Sequence, residues 1–161
     1  MITQHPAAPA PPTELLVRDE RNLNALHTLA DASHLTTLWL WSSHLRDLGP
    51  LAGLTHLTRL DLAYCLQVRN LSSLAGPSHL TTLTLCSCEQ LSNLTSLAGL
   101  TQLATLDLSY CPQVSDLSPM AGLAHLTTLS LYCASQVSEP PSPGRTRSPH
   151  HLGLVLLSAG E

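Results

Sequence analysis

Four histidines recur at nearly equal intervals, and they are the residues of this chain best spaced to do chemistry. His34, His56 and His79 lie 22 and 23 residues apart, and His125 follows after two more intervals of 23. If each interval is one turn of a coiled chain, the imidazoles stand in a row about 5 Å apart, as zinc ligands could. Gln102 fills the slot between His79 and His125, and glutamine is not a usual zinc ligand. We therefore predict a polar bend position without a metal, and a zinc ladder is the alternative.

Three cysteines recur with the same period. Cys65, Cys88 and Cys111 are 23 residues apart, and the chain has five cysteines, an odd number. A secreted disulfide framework is not built on such a spacing, so reduced thiols in a cytoplasmic protein fit better. Cys86 precedes Cys88 by two residues, but the predicted phase points Cys86 outward and Cys88 inward. We predict that the three recurring thiols are structural and donate weakly to the backbone of a bend.

Two glycosylation sequons begin at Asn70 and Asn93, but a structural role explains both. Asp47 and Asp116 occupy the same position in other intervals. A carboxylate or amide oxygen there can accept the unpaired amides at the start of a short helical turn. We predict that all four residues cap such turns.

The sequence shows no catalytic or cofactor-binding signature. No serine, histidine and aspartate are singled out by spacing, and no glycine-rich loop that would cradle a phosphate follows a strand pattern. We predict that the protein is not an enzyme, has no cofactor and has no small-molecule substrate.

The element that positions these residues is a repeat. Rows that begin at His34, His56, His79, Gln102 and His125 each open with the pattern Leu-x-x-Leu-x-Leu. A period of two places both leucines of the Leu-x-Leu step on one face of a strand. Each row then bends, makes a short helical or 3₁₀ turn, and ends at a glycine. The glycines, predicted to adopt the left-handed conformation that stops the turn, are Gly53, Gly76, Gly99 and Gly122.

The row pattern divides the chain into three parts. Residues 1–12 are rich in alanine and proline and are predicted to be disordered. Residues 13–139 hold about six repeats of 22 or 23 residues, of which the first is degenerate, with Leu15 and Val17 in its strand and Leu23, Leu26 and Leu29 in its return segment. Residues 140–161 form a tail rich in proline, serine and arginine, in which residues 151–157 either add a final edge strand or stay disordered.

These rows resemble the leucine-rich-repeat family over residues 13–139. The segment from Val114 to Leu123 is similar to the short repeats of bacterial internalins and of the phosphatase-regulator type. The cysteine column resembles the cysteine-containing repeats of F-box substrate adaptors. The resemblance implies an α/β repeat solenoid with parallel strands on a concave face and short 3₁₀ or helical turns on the convex face. It also implies a protein-binding role.

The residues between the strand leucines are predicted to face a partner. Both tryptophans, Trp39 and Trp41, alternate with inward leucines, so burying them would require the register to flip. Aromatic and arginine side chains on a rigid surface are enriched in binding hot spots. An alternative is that the tryptophans only shield the first rows. The predicted partner-binding residues are Trp39, Trp41, Arg59, Asp61, Tyr64, Thr82, Thr84 and Asp107.

Composition narrows the class of partner. The chain has no lysine, seven arginines, 11 acidic residues and a net charge of −4, which disfavours nucleic acid and anionic membrane. No apolar run of secretory or membrane-spanning length occurs. We predict a cytoplasmic interaction module that binds a protein. The alternative is a structural or adaptor subunit of a cytoskeletal, axonemal or ubiquitin-ligase complex, assembled through its C-terminal end.

Overall fold

In the part of the chain that the structure describes, six short strands form one parallel sheet, and every strand lies beside its neighbour in the chain. The computed structural model describes residues 12–18, 32–75 and 77–134. The strands are β1 (Glu14–Arg18), β2 (Thr37–Trp41), β3 (Arg59–Asp61), β4 (Thr82–Thr84), β5 (Thr105–Asp107) and β6 (Thr128–Ser130). This architecture confirms the predicted repeat solenoid.

The register follows directly from the repeat. Leu38 pairs with Leu60, Leu60 with Leu83, and Leu83 with Leu106, so equivalent residues of successive rows stack without a shift. Because side chains alternate across a strand, the stacked leucines all point to one side. That side is the core: Leu38, Leu83 and Leu106 have no exposed surface, and Leu60 has 1%.

Threonine hydroxyls reinforce the sheet where each row enters its strand. Thr58 Oγ1 donates to the carbonyl of Thr36 at 3.0 Å, and Thr81 Oγ1 donates to the carbonyl of Thr58 at the same distance. The backbone amides of Thr58 and Thr81 donate to the same two carbonyls at 2.8 Å. Each of these carbonyls therefore accepts bonds from both the backbone and the side chain of the next row.

Short 3₁₀ turns lie on the side of the core opposite the sheet. They span Gly49–Gly53, Ser72–Ala75, Thr95–Gly99 and Ser118–Gly122. The column of Asp and Asn residues stands just before them, and Oδ1 of each residue accepts the amide proton of the residue two positions later. The four N–O distances, for Asp47, Asn70, Asn93 and Asp116 in turn, are 2.7, 3.2, 2.9 and 2.9 Å. The hydrogen bonds from Ser118 lower the pKa of Asp116.

The prediction of left-handed glycines was wrong for Gly99 and Gly122. Neither has a positive φ, and a Cβ built on either meets no atom within 4 Å. The left-handed residues other than glycine in the described chain are Tyr64, Ser87, Tyr110 and Cys133, with φ between 56° and 62°. These residues form one column in the bend after the strand. The sharp reversal therefore occurs where the chain leaves the sheet rather than where the 3₁₀ turn ends.

Alanine should consequently be tolerated at Gly99 and Gly122, which end two of the 3₁₀ turns. We expect Gly99→Ala and Gly122→Ala to leave the free energy of unfolding unchanged or raise it by up to about 1 kcal/mol, because alanine restricts the unfolded chain more than glycine does. Gly49→Ala is the contrast, since its Cβ would lie 3.1 Å from Oδ1 of Asp47. Urea unfolding of the three variants checks this. A loss of stability at Gly99 as large as at Gly49 would contradict it.

Several predictions lie outside the described residues. They concern the disordered N-terminus up to residue 11, the return segment with Leu23, Leu26 and Leu29, the left-handed Gly76, and the tail with its edge strand at 151–157.

Candidate functional site

Trp41 is held in place by its own chain on the concave face, the face of the sheet that points away from the core. Its indole Nε1 donates to Oδ1 of Asp61 at 3.0 Å, and the guanidinium carbon of Arg18 lies 4.8 Å from the ring centroid. The same Oδ1 atom accepts the amide proton of Ala63 at 2.9 Å. Trp41 thus joins β1, β2 and β3 through a cation–π contact and a hydrogen bond. This geometry favours a shielding role for Trp41, the alternative weighed for both tryptophans.

Trp39 and Arg59 are not held by a comparable hydrogen bond or cation–π contact in the described part of the chain. Trp39 is half-buried, Arg59 is exposed, and no hydrogen bond within the described residues involves either side chain. With Asp61, Thr82 and Thr84 they line a shallow depression of about 90 Å³. Pockets for small molecules usually measure about 300–1,000 Å³. The depression is therefore suited to receiving one side chain of a larger ligand.

Asp107 stabilises the chain's own bend. Its Oδ1 accepts the amide proton of Ser109 at 2.8 Å, as Oδ1 of Asp61 does from Ala63 two rows earlier. The hydroxyl oxygens of Ser109 and Ser130 are 2.7 Å apart and hydrogen-bonded. Both aspartates predicted to bind a partner consequently have an intramolecular role.

The predicted partner-binding residues do not include an aromatic pair at the other end of the sheet, Tyr110 and Tyr132. The rings of Tyr110 and Tyr132 meet edge to face with centroids 5.3 Å apart, and the two side chains are 47% and 42% exposed. Tyr64, which was predicted, is 60% exposed. Tyr110 shares the column of Tyr64, and Tyr132 shares that of Trp41. The repeat phase could therefore have identified both residues.

The three recurring thiols hydrogen-bond to the preceding row. Sγ donates from Cys65 to the carbonyl of Leu40 at 3.2 Å, from Cys88 to that of Leu62 at 3.3 Å, and from Cys111 to that of Leu85 at 3.1 Å. Parallel pairing would bring a backbone amide to each carbonyl, but the next row has already begun its bend. The carbonyls of Leu62 and Leu85 also accept the backbone amides of Cys65 and Cys88 in their own rows, so the thiol adds a hydrogen bond between rows.

Burial keeps these thiols protonated. It raises the pKa of Cys65 to about 11 and that of Cys111 to about 12, and it raises the pKa of Cys88 further. A protonated thiol is both a hydrogen-bond donor and a poor nucleophile. Cys133, by contrast, is exposed, and Cys86 is partly exposed.

The exposed and the buried cysteines should therefore react with alkylating reagents at different rates. We expect an alkylating reagent at pH 8 to modify Cys133 quickly and Cys86 more slowly, while Cys65, Cys88 and Cys111 react only after unfolding. Peptide mass spectrometry at increasing urea concentration measures this. Labelling of the three buried thiols in the native protein at the rate of Cys133 would contradict the arrangement.

The histidine column lies in exposed bends just before the strands. His34, His56, His79 and His125 are all exposed, as is Gln102 in the same column. Within the described ranges, no three His, Cys, Asp or Glu side chains are grouped so that they could hold one metal ion. Nor does any helix of the described chain have the length and apolar character needed to cross a membrane.

Comparison with known proteins agrees with the geometry. A family model for leucine-rich repeats in two copies matches residues 33–76. The solved structure of internalin C2 from Listeria monocytogenes is 38% identical, with a TM-score of 0.57 over 64% of this chain and 44% of that one. A second internalin of that organism, inlF, is 25% identical, with a TM-score of 0.51 over 71% of this chain and 39% of that one. No curated protein sequence matches the chain.

The parallel sheet, the stacked leucines and the 3₁₀ turns define a repeat solenoid. With the repeat model that matches residues 33–76 and the internalin structures, they show that the chain adopts the leucine-rich-repeat fold. Proteins with this fold typically act through protein–protein interaction. The chain spans less than half the length of each of these two internalin structures.

Proposed function

We propose that this protein is an interaction module that binds a protein partner on its concave face. One observation carries the proposal. Every large apolar or aromatic side chain that is exposed in the described chain lies on this face or in the bend directly after it: Leu16, Tyr64, Tyr110 and Tyr132. Exposed apolar side chains gathered on one face commonly mark an interaction site.

The side chains suitable for anchoring a partner form two groups. Trp39 and Arg59 lie on β2 and β3, and the pair Tyr110 and Tyr132 lies at the ends of β5 and β6. With neighbouring strands about 4.8 Å apart, the groups are separated by roughly 15–20 Å. A partner that reaches both must be of protein size. Tryptophan, tyrosine and arginine are also the residues most enriched in interface hot spots.

Charge on this face supports a protein rather than a nucleic acid. Arg18 and Arg59 are accompanied by Glu14, Asp61 and Asp107, so positive charge does not dominate the surface. A protein that binds phosphate backbones needs a basic stripe.

A double variant tests the proposal. Trp39→Ala with Tyr132→Ala should weaken capture of the native partner by up to about 1,000-fold, since the loss of each anchor costs about 2 kcal/mol, roughly a factor of 30, at a hot spot. Trp41 is left intact because it holds Arg18 and Asp61. Gln113→Ala with Thr101→Ala, two exposed positions away from the face, is the matched control. Equal capture of the same partner by wild type and the tryptophan–tyrosine variant would overturn the proposal.

The second candidate is a structural or adaptor subunit assembled through its C-terminal end. It is supported by the exposed Tyr132 and Cys133, which follow the last described strand. In that case, deleting residues 138–161 abolishes assembly, while Trp39→Ala alone leaves it intact. We propose the cytoplasm as the location, with the cytoskeleton or axoneme as the alternative. The three thiols that must stay reduced to donate their hydrogen bonds support a reducing compartment.

A further inference from the structure

The strand register places three imidazoles in adjacent rows at one edge of the sheet. His34, His56 and His79 each precede a residue of the paired set Thr37, Arg59 and Thr82 by three positions. The bends that carry them are closed by equivalent hydrogen bonds, from Leu35 N to Ala32 O, Leu57 N to Leu54 O, and Leu80 N to Pro77 O, at 2.9, 3.1 and 3.2 Å. The three histidines therefore occupy the same position in three successive rows.

Adjacent-row spacing suits chelation by two imidazoles. Neighbouring strands are about 4.8 Å apart. An imidazole nitrogen binds zinc at about 2.0–2.1 Å, so two nitrogens on one ion lie at most about 4 Å from each other. Histidines in adjacent rows need to lean together only slightly, whereas His34 and His79 are separated by two rows, about 10 Å.

The composition of this edge agrees with a metal ligand set. All three histidines are exposed, so an ion can reach their side chains from solvent. The bend residues next to them are Ser33, Thr55 and Ser78, and the bends contain no lysine or arginine that would repel a cation. They also contain no carboxylate, so oxygen-preferring ions such as Mg²⁺ and Ca²⁺ gain no ligand there.

We propose that His34, His56 and His79 form a binding site for a divalent transition metal ion, Cu²⁺ foremost, in which two imidazoles of adjacent rows chelate one ion. No three donor side chains of the described chain are grouped around one ion position, so water completes the coordination. Imidazole favours copper, nickel and zinc, and Cu²⁺ binds most tightly of the first-row divalent ions. Without carboxylates to orient the rings, the bound ion exchanges readily.

Gln102 and His125 provide the test variants within the same column. His56→Gln introduces the residue that Gln102 supplies at the same position of its own row. It removes both adjacent pairs, His34 with His56 and His56 with His79. His125→Gln is the matched control, because Gln102 separates His125 from the other three histidines. Gln102→His joins His79 to His125 and creates new adjacent pairs.

The experiment is a titration of the full chain with Cu²⁺ in a buffer that does not bind copper, read by calorimetry and by electron paramagnetic resonance. Wild type should show a site with two nitrogen ligands. His56→Gln should lower the affinity of that site about tenfold or more, because a second ligand on the same scaffold acts at a high effective concentration. His125→Gln should leave the site unchanged, and Gln102→His should add a second equivalent.

Each outcome decides for or against the proposal. Equal copper binding by wild type and His56→Gln, or equal losses in His56→Gln and His125→Gln, would overturn it, since either result assigns the copper to histidines outside this column or to single imidazoles. Cooperative unfolding of each variant confirms that the fold is intact.

Discussion

Replacing Leu85 with alanine is expected to lower the free energy of unfolding by about 2–5 kcal/mol. Leu85 has no exposed surface and belongs to the continuous core that runs through the rows. Its carbonyl also accepts hydrogen bonds from the amide of Cys88 and the thiol of Cys111. The substitution leaves a cavity between two rows, and in a solenoid each row is stabilised mainly by its neighbours. The loss therefore weakens contacts on both sides at once.

Leu16→Ala is the matched control for this variant. Leu16 lies on the concave face and is 47% exposed, so its removal should change the free energy of unfolding by less than about 0.5 kcal/mol. Urea unfolding followed by circular dichroism measures both. Similar stabilities for the two variants would show that the leucine columns are not oriented as described.

Alkaline pH is expected to destabilise the protein steeply. The pKa of Cys65 is about 11 and that of Cys111 about 12 in the folded chain, against an ordinary value of 9.0. Below pH 9 these thiols are protonated in both the folded and the unfolded chain, so they add no pH dependence. Above pH 9 the unfolded chain releases protons that the folded chain retains, and stability falls as the pH rises towards the folded pKa values.

The size of this effect follows from the number of thiols. Each contributes a slope approaching about 1.4 kcal/mol per pH unit, so Cys65, Cys88 and Cys111 together approach about 4 kcal/mol per unit near pH 10–11. Urea unfolding at pH 8, 9, 10 and 11 gives the slope. Cys65→Ala should reduce it by about one third. A stability that stays level up to pH 11, or a slope that Cys65→Ala leaves unchanged, would contradict the role assigned to the thiols.

The fold could be predicted because one pattern determines it. A fixed period of 22 or 23 residues and a Leu-x-Leu step in each row specify both the parallel register and the buried face, as the pairing of Leu60 with Leu83 shows. The position of the left-handed residue could not be predicted in this way. Glycine at the end of a row suggested it, yet the bend that needs it holds Tyr64, Ser87 and Tyr110. The surrounding hydrogen bonds overcome the intrinsic cost of that conformation for a residue with a side chain.

The candidate site was less accessible to prediction than the fold. The column positions of Trp39 and Trp41 placed both on the concave face, but the pattern does not distinguish a tryptophan fixed by Asp61 from one open to a partner. That difference depends on side-chain geometry between rows. The pairing of Tyr110 with Tyr132 depends on such geometry as well, because the two residues occupy different columns of adjacent rows.

The most direct test of the central claim is to map which surface a bound partner covers. Hydroxyl-radical footprinting with mass spectrometry, on the free chain and on its complex with the partner captured from the native source, measures the solvent accessibility of individual side chains. Binding on the concave face predicts that oxidation of Trp39, Tyr64, Tyr110 and Tyr132 falls on complex formation, while that of His56 and His125 at the sheet edge stays the same. Unchanged oxidation of these four aromatic residues in the complex would contradict it.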